Sequence, residues 1–259
     1  MNRSVLRVGL CAALGLISLL AAAQVPAQSA AKDSRRSGFD DMGASTQALQ
    51  KDDSQNPAWL WVSDGQRRFN TDCARCHADD SARSLRGAAA RYPAYDPLVK
   101  KPLTLDQRIN QCRVRHVKTT PLAAESDELL ALSAYVALQS RGLPLQADTD
   151  PRSQPHRERG AQLYARRMGQ LDFSCAQCHD QNAGGRLAGA LIPQAHPTAY
   201  PIYRLEWQGM GSLQRRLRNC MTGVRAEPFA YDSDEFVQLE LYLKQRAAGM
   251  KSEAPGIRP

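Results

Sequence analysis

The sequence predicts a mainly α-helical protein built from two tandem copies of one small domain, related by internal duplication. Three observations predict it. CARCH, from Cys73 to His77, returns as CAQCH, from Cys175 to His179. LDQRINQC, from Leu105 to Cys112, returns as LQRRLRNC, from Leu213 to Cys220. SDELLALSAYVALQSRG, from Ser126, returns as SDEFVQLELYLKQRAAG, from Ser233. The segments recur in the same order with a period of about 105 residues, the signature of a duplicated unit. A chain of 259 residues with 42% apolar content can give each copy its own core.

At the N-terminus, Arg3 and Arg7 precede an apolar run from Val8 to Leu20 and small residues with Ala-x-Ala sites near Ala23 to Ala27. This pattern predicts a cleaved signal peptide over residues 1–27 and an exported, periplasmic chain. The run is shorter than the ~20 residues a membrane span needs, and no later stretch of that length lacks charges, so no span is expected in the mature form. The formal charge of +8, two units of which leave with Arg3 and Arg7, suits anionic substrates or acidic protein partners; export argues against nucleic acid.

Residues 28–55 form a polar arm without apolar periodicity, expected to be disordered or to wrap a partner. The first domain is expected over residues 56–147 and the second over 148–259, with the polar, proline-containing LQADTDPRSQPH as the link. In each copy the last helix begins at a serine N-cap, Ser126 or Ser233, has two acidic residues in its first turn and stops toward a glycine, Gly142 or Gly249. AAARYPAYDP and GALIPQAHPTAYPIY carry the prolines and aromatics of long loops. No run alternates with period two, which argues against a sheet-based fold.

Cys11 leaves with the signal, so the mature cysteines are Cys73, Cys76, Cys112, Cys175, Cys178 and Cys220. In an oxidising compartment an even number suggests disulfides, but the arrangement points elsewhere. Cys-x-x-Cys-His attaches c-type haem: two thiols bond the porphyrin and the histidine reaches the iron. A zinc ribbon would place its Cys-x-x-Cys turns about 15–20 residues apart, and a thioredoxin-like pair would need a βαβ setting. Two covalently bound haems c are therefore expected, on Cys73 and Cys76 with His77 as axial ligand, and on Cys175 and Cys178 with His179, in two class I cytochrome c-like domains.

No methionine lies between Met42 and Met168, so the first haem finds its second ligand elsewhere, in Cys112 or His116. His116 faces Val224 in the repeat register, whereas Cys112 faces Cys220, so the duplication favours His/Cys ligation at both irons. Met210 and Met221 keep a His/Met alternative open for the second. A thiolate lowers the iron's potential where methionine raises it. If LQRRLRNC is helical, Arg216 shares a face with Cys220 four residues on, and Arg108 stands likewise to Cys112. A guanidinium there favours thiolate over thiol and offers donors to an oxyanion, or else binds haem propionates. Arg225 follows a glycine turn and Arg246 can return toward the same pocket, a cluster suited to hold a sulfur oxyanion beside a reactive Cys220.

With the signal, the paired motifs and RLRNCMTGVRAEP followed by SDEFVQLELYLKQRAAG, the chain resembles the SoxA family, the catalytic subunits of SoxAX cytochromes, over nearly its whole mature length. The resemblance implies an L-cysteine S-thiosulfotransferase. Such an enzyme joins thiosulfate oxidatively to a cysteine of the carrier SoxYZ and passes electrons to cytochrome c, in a heterodimer with the monohaem cytochrome SoxX. It also implies that His179 and Cys220 ligate the active-site haem, that Cys220 carries a persulfide, and that Arg216 and Arg246 line the pocket. Cys73, Cys76, His77 and Cys112 would build the first haem. Two alternatives stay open: a dihaem thiosulfate dehydrogenase forming tetrathionate, and a non-enzymatic electron-transfer cytochrome.

Overall fold

A computed structural model describes residues 33–77, 84–187 and 189–259; the expected signal, and the arm as far as residue 32, lie outside them. Each half is organised by one helix crossing. In the first, α2 (Trp59–Asp72) crosses α5 (Asp127–Leu138); in the second, α6 (Gln154–Ala165) crosses α8 (Asp234–Arg246). Glycine makes both crossings close: a Cβ on Gly65 would stand 2.0 Å from the carbonyl oxygen of Ala131, and one on Gly160 2.0 Å from that of Gln238. Ala131 and Gln238 occupy the same place after their cap serines. Val62, Phe69, Leu130 and Tyr135 fill the first core, and Tyr164, Phe236, Leu239 and Leu243 the second.

Ser126 and Ser233 cap α5 and α8 as expected, each accepting a backbone N–H three residues on. Between the crossing helices each half carries one more, α4 (Leu105–Cys112) and α7 (Leu213–Gly223). Thr104 and Gln107 form a reciprocal capping box at the start of α4, and Ser212 accepts from the Arg215 N–H at the start of α7. The first Cys-x-x-Cys-His ends on the single turn α3 (Ala74–His77), the second on a π-helical turn over Gln177–Gln181. Helices α5 and α8 stop short of Gly142 and Gly249; tighter i to i−3 hydrogen bonds, such as Ser140 to Ala137, carry the chain to those left-handed glycines.

Short strands interlock the halves. β1 (Ala94–Asp96) pairs antiparallel with β2 (Lys101–Leu103), β3 (Arg186–Leu187) with β4 (Ala190–Leu191), and β5 (Ile202–Arg204) with β6 (Gly209–Gly211). β7 (Gly256–Arg258) joins β5 in parallel. Strand β2 packs against α8 and β6 against α5, so that Tyr203, Met210 and Ile257 of the second half sit in the first core. The segments after α5 and α8 also pair: Gly142 donates to Ser252, Ser252 to Leu143, Leu145 to Met250 and Gly249 to Leu145, each at 2.8 Å. This exchange has the pattern of a local two-fold relation, and Arg35–Pro259 forms one compact unit.

The arm departs from expectation. Residues 35–55 fold onto this chain, with α1 (Ala44–Lys51) packed against β7. Their polar side chains find backbone partners. Arg35 donates to the carbonyls of Arg246 and Ala248 at the end of α8, both at 2.9 Å, and the Gln50 side-chain Oε1 accepts from the Ile257 N–H at 2.8 Å. Polarity without apolar period here marks a strap held by hydrogen bonds.

A small cavity of about 80 Å³ lies on the local two-fold, lined by matched residues: Tyr92 and Tyr200, Pro93 and Pro201, Thr104 and Ser212, Leu105 and Leu213, Ser133 and Glu240. Asp106 and Lys244 complete its polar lining. Ser133 donates to Asp106, and Gln214, the repeat partner of Asp106, donates to Glu240 at 2.8 Å. Burial raises the pKa of Asp106 to about 7 and of Glu240 to about 8 despite these bonds, and lowers that of Lys244 to about 8.

Two outcomes follow from this packing. Gly65→Ala and Gly160→Ala force side-chain carbon into backbone oxygen and should each cost about 1–3 kcal/mol or more by urea denaturation; unchanged midpoints would contradict the close crossings. A carboxyl whose folded pKa is raised contributes stability below its unfolded pKa that is lost as pH rises through the folded value. Asp106→Asn should therefore gain stability relative to the parent between pH 5 and pH 8; a pH-independent difference would contradict the burial of Asp106.

Candidate functional site

Helix α7 presents Arg216 and Cys220 on one face, and both line a cavity of about 500 Å³ together with His179, Tyr200, Arg204 and Leu217. This is within the range of small-molecule and cofactor sites. The strap contributes Asp41 and Met42 to the wall. His179 sits on the π-helical turn directly after Cys178, and its Nδ1 lies 2.7 Å from the Pro193 carbonyl oxygen. That contact assigns the proton to Nδ1 and leaves the Nε2 lone pair for a metal.

Electrostatics at Cys220 oppose its burial. Burial alone raises the thiol's pKa, but the facing His179 imidazole, Arg216 and Arg204 outweigh it, so the net direction is down. Cys175, by contrast, is pushed up to about 11, first by burial and then by the nearby Cys220. One sulfur is thus disposed to be a thiolate ligand, and the other to be a neutral thiol beside it. A pair of thiols, an imidazole with its far nitrogen already bonded, and a thiolate-disposed sulfur across a cavity form a donor set that fits a c-type haem.

The first half repeats this plan with different charges. Cys73, Cys76 and His77 lie at the end of α2 and on α3, with the Phe69 ring 5.6 Å from that of His77. Cys112 ends α4, close enough to Cys73 to add to the rise of that thiol's pKa to about 11, which burial and Asp72 dominate. Arg113 pairs with Asp72 at 2.8 Å, tying the end of α4 to the end of α2. Arg108 pairs with Asp96 at 3.2 Å. His116 is exposed on the π-helical turn after Cys112, its carbonyl accepting from Arg75 at 3.0 Å.

The structure brings together only some of the residues singled out in the sequence. Arg216, Cys220 and His179 share one cavity. Arg225 lines a separate groove with Arg166, Met168 and Phe229, because α7 ends at Gly223 and the chain turns through a left-handed Arg225. Arg246 lies on the far side of His179, pairing with Asp180 at 2.5 Å and stacking its guanidinium 4.8 Å from the Tyr164 ring centre. Met210 is packed in the first core and Met221 in the second, and neither lines the cavity of Cys220. Arg204, Tyr200 and Arg258 do line it and escaped the sequence reading. The signal for two of them lay in the repeat itself, where YPAYD from Tyr92 aligns with YPIYR from Tyr200.

Comparison with known proteins agrees with this duplicated plan. A family model described as "SoxA/TsdA, cytochrome c domain" matches residues 60–145 and again 159–252. The chain is 35% identical over 223 residues to the L-cysteine S-thiosulfotransferase subunit SoxA of Pseudaminobacter salicylatoxidans, covering 83% of this chain and 78% of that one. It is 34% identical over 254 residues to the SoxA subunit of Rhodovulum sulfidophilum, covering 94% and 88%. The crystal structure of SoxXA from P. pantotrophus superposes with a TM-score of 0.83 at 32% identity, covering 87% of each chain.

Arg246 joins Asp180 to two aromatic rings beside His179. Arg246→Gln should cost about 1 kcal/mol in urea denaturation of the haem-loaded protein; an unchanged midpoint would contradict a bracing role for the pair.

Proposed function

Since this chain belongs to the SoxA/TsdA cytochrome c family, we propose that it is the catalytic subunit of a periplasmic L-cysteine S-thiosulfotransferase with its reaction centred on Cys220. Its cytochrome c domains bind haem c covalently. Cys73 and Cys76 would hold one haem and Cys175 and Cys178 the other, with His77 and Cys112, and His179 and Cys220, as the residues that would ligate their irons. The partner is the monohaem cytochrome SoxX, the carrier SoxYZ supplies the acceptor cysteine, and residues 1–27 are the export signal.

Joining thiosulfate to a carrier thiol makes one S–S bond and releases two electrons and one proton. Haem, when bound, supplies a metal centre that accepts electrons one at a time. The chain's own residues do the rest. Arg216 donates to the terminal oxygens of thiosulfate and offsets the cost of burying a dianion. Cys220, biased toward thiolate by its cationic surroundings, bonds the sulfane sulfur of intact thiosulfate as two electrons leave to the cytochrome c acceptor. It is then displaced by the carrier thiolate, which departs as the S-thiosulfonate. Arg246 braces Asp180 next to His179, and Arg225, in its separate groove, is assigned no contact with the sulfur.

The single observation that supports this reading is the shared cavity of Cys220, Arg216 and His179. A pure electron carrier has no need of a thiolate beside an unpaired arginine. Cys220→Ala and Arg216→Gln are expected to keep both covalent haems by intact mass, yet to slow thiosulfate transfer to the carrier cysteine by about a hundredfold or more. Full activity of haem-loaded Cys220→Ala would overturn the assignment, and tetrathionate formed without any carrier would favour the thiosulfate dehydrogenase.

A further inference from the structure

The two halves differ in charge at one duplicated position. Tyr92-Pro93-Ala94-Tyr95-Asp96 leads into β1 and Tyr200-Pro201-Ile202-Tyr203-Arg204 into β5, both through a cis Tyr–Pro bond. The arginine four residues before the lone cysteine is also shared, as Arg108 and Arg216. In the first half Asp96 neutralises that arginine, Nη1 to Oδ2 at 3.2 Å. In the second half the same position is Arg204, and Arg216 has no ion-pair partner among the described residues.

Arg204 is positioned for a ligand. Its side chain is 13% exposed and lines the cavity with Arg216 and Cys220. Nε donates to the Pro259 carbonyl at 2.6 Å and Nη2 to Glu206 at 2.6 Å, fixing the guanidinium plane. Glu206 is 63% exposed, so water screens much of its charge. Burial, and after it Arg216, lower the pKa of Arg204 even with Glu206 beside it. Of the other charged side chains in the lining, Asp41 pairs with Arg36 at 2.8 Å and Arg258 with Glu253 at 2.6 Å, while Arg186 is exposed; Tyr200, His179 and His196 are the remaining polar groups.

We propose that Arg204 is the second cation of the substrate site, and that with Arg216 it sets this site to bind a dianionic sulfur oxyanion in preference to a monoanionic one. The inference rests on the thiosulfate reading and names the residue that gives it charge selectivity. Arg216 alone sets a single guanidinium against a dianion and leaves one of its charges unmatched. A second guanidinium in the same cavity matches it and adds a planar pair of donors for oxyanion oxygens. Where the first half pairs its arginine with a carboxylate, the second sets two arginines toward one cavity.

The test uses the haem-loaded protein in complex with its cytochrome partner and carrier. Thiosulfate is the dianion, and methanethiosulfonate, which keeps the sulfane sulfur with one charge fewer, is the competing inhibitor. Arg204→Gln should raise KM for thiosulfate about tenfold or more with a smaller change in kcat, since a charged hydrogen-bonding partner is lost. Its inhibition constant for methanethiosulfonate should stay within about threefold, and Arg204→Lys should recover most of the affinity. An unchanged KM, equal losses for both anions, or a shifted haem potential with KM intact would overturn the proposal, the last assigning Arg204 to the haem. Parent protein that never couples thiosulfate would instead overturn the functional reading beneath it.

Discussion

A sulfur facing two arginines across one cavity is the condition on which the second half of this molecule is organised. Burial by itself would raise the pKa of the Cys220 thiol; His179, Arg216 and Arg204 lower it, and the position that carries Asp96 beside Arg108 in the first half carries arginine here. An imidazole on the opposite side, with its outer nitrogen fixed on the Pro193 carbonyl, gives the arrangement an axis along which a metal can sit.

Duplication explains how such a site is built and why only one of the two copies has it. The glycine crossings at Gly65 and Gly160, the capped helices α4 and α7, and the Tyr–Pro entries to β1 and β5 are common scaffold. On that scaffold the first copy pairs Arg108 with Asp96. The second leaves Arg216 open toward the cavity and adds Arg204. The exchange of strands between halves, with β6 on α5 and β2 on α8, locks the two copies into one unit and places the acid-lined cavity on their local two-fold.

Much of this was legible in the sequence because it is local or periodic. The Cys-x-x-Cys-His turns, the cap serines and the four-residue spacing of Arg216 and Cys220 each depend on residues within one or two turns of helix. What was not legible depends on contacts distant in the chain. Arg225 was grouped with Cys220 by charge, and Arg246 by charge and by the family resemblance, but the left-handed turn after Gly223 sends one to another groove and Asp180 holds the other beside His179. The polar arm carries no apolar period, yet its side chains bond backbone groups some two hundred residues away. Arg204 could have been found by aligning the Tyr–Pro segments; the comparison needed was of charge at equivalent positions rather than of motifs.

The ligation of the haem proposed on Cys175 and Cys178 is the point on which the account turns, and low-temperature EPR of the oxidised protein tests it most directly. Thiolate opposite His179 predicts a low-spin ferric signal with the compressed g-spread of His/Cys coordination, lost when Cys220 is replaced. A wide-spread signal of His/Met or paired-histidine type, unaffected by that replacement, would contradict it.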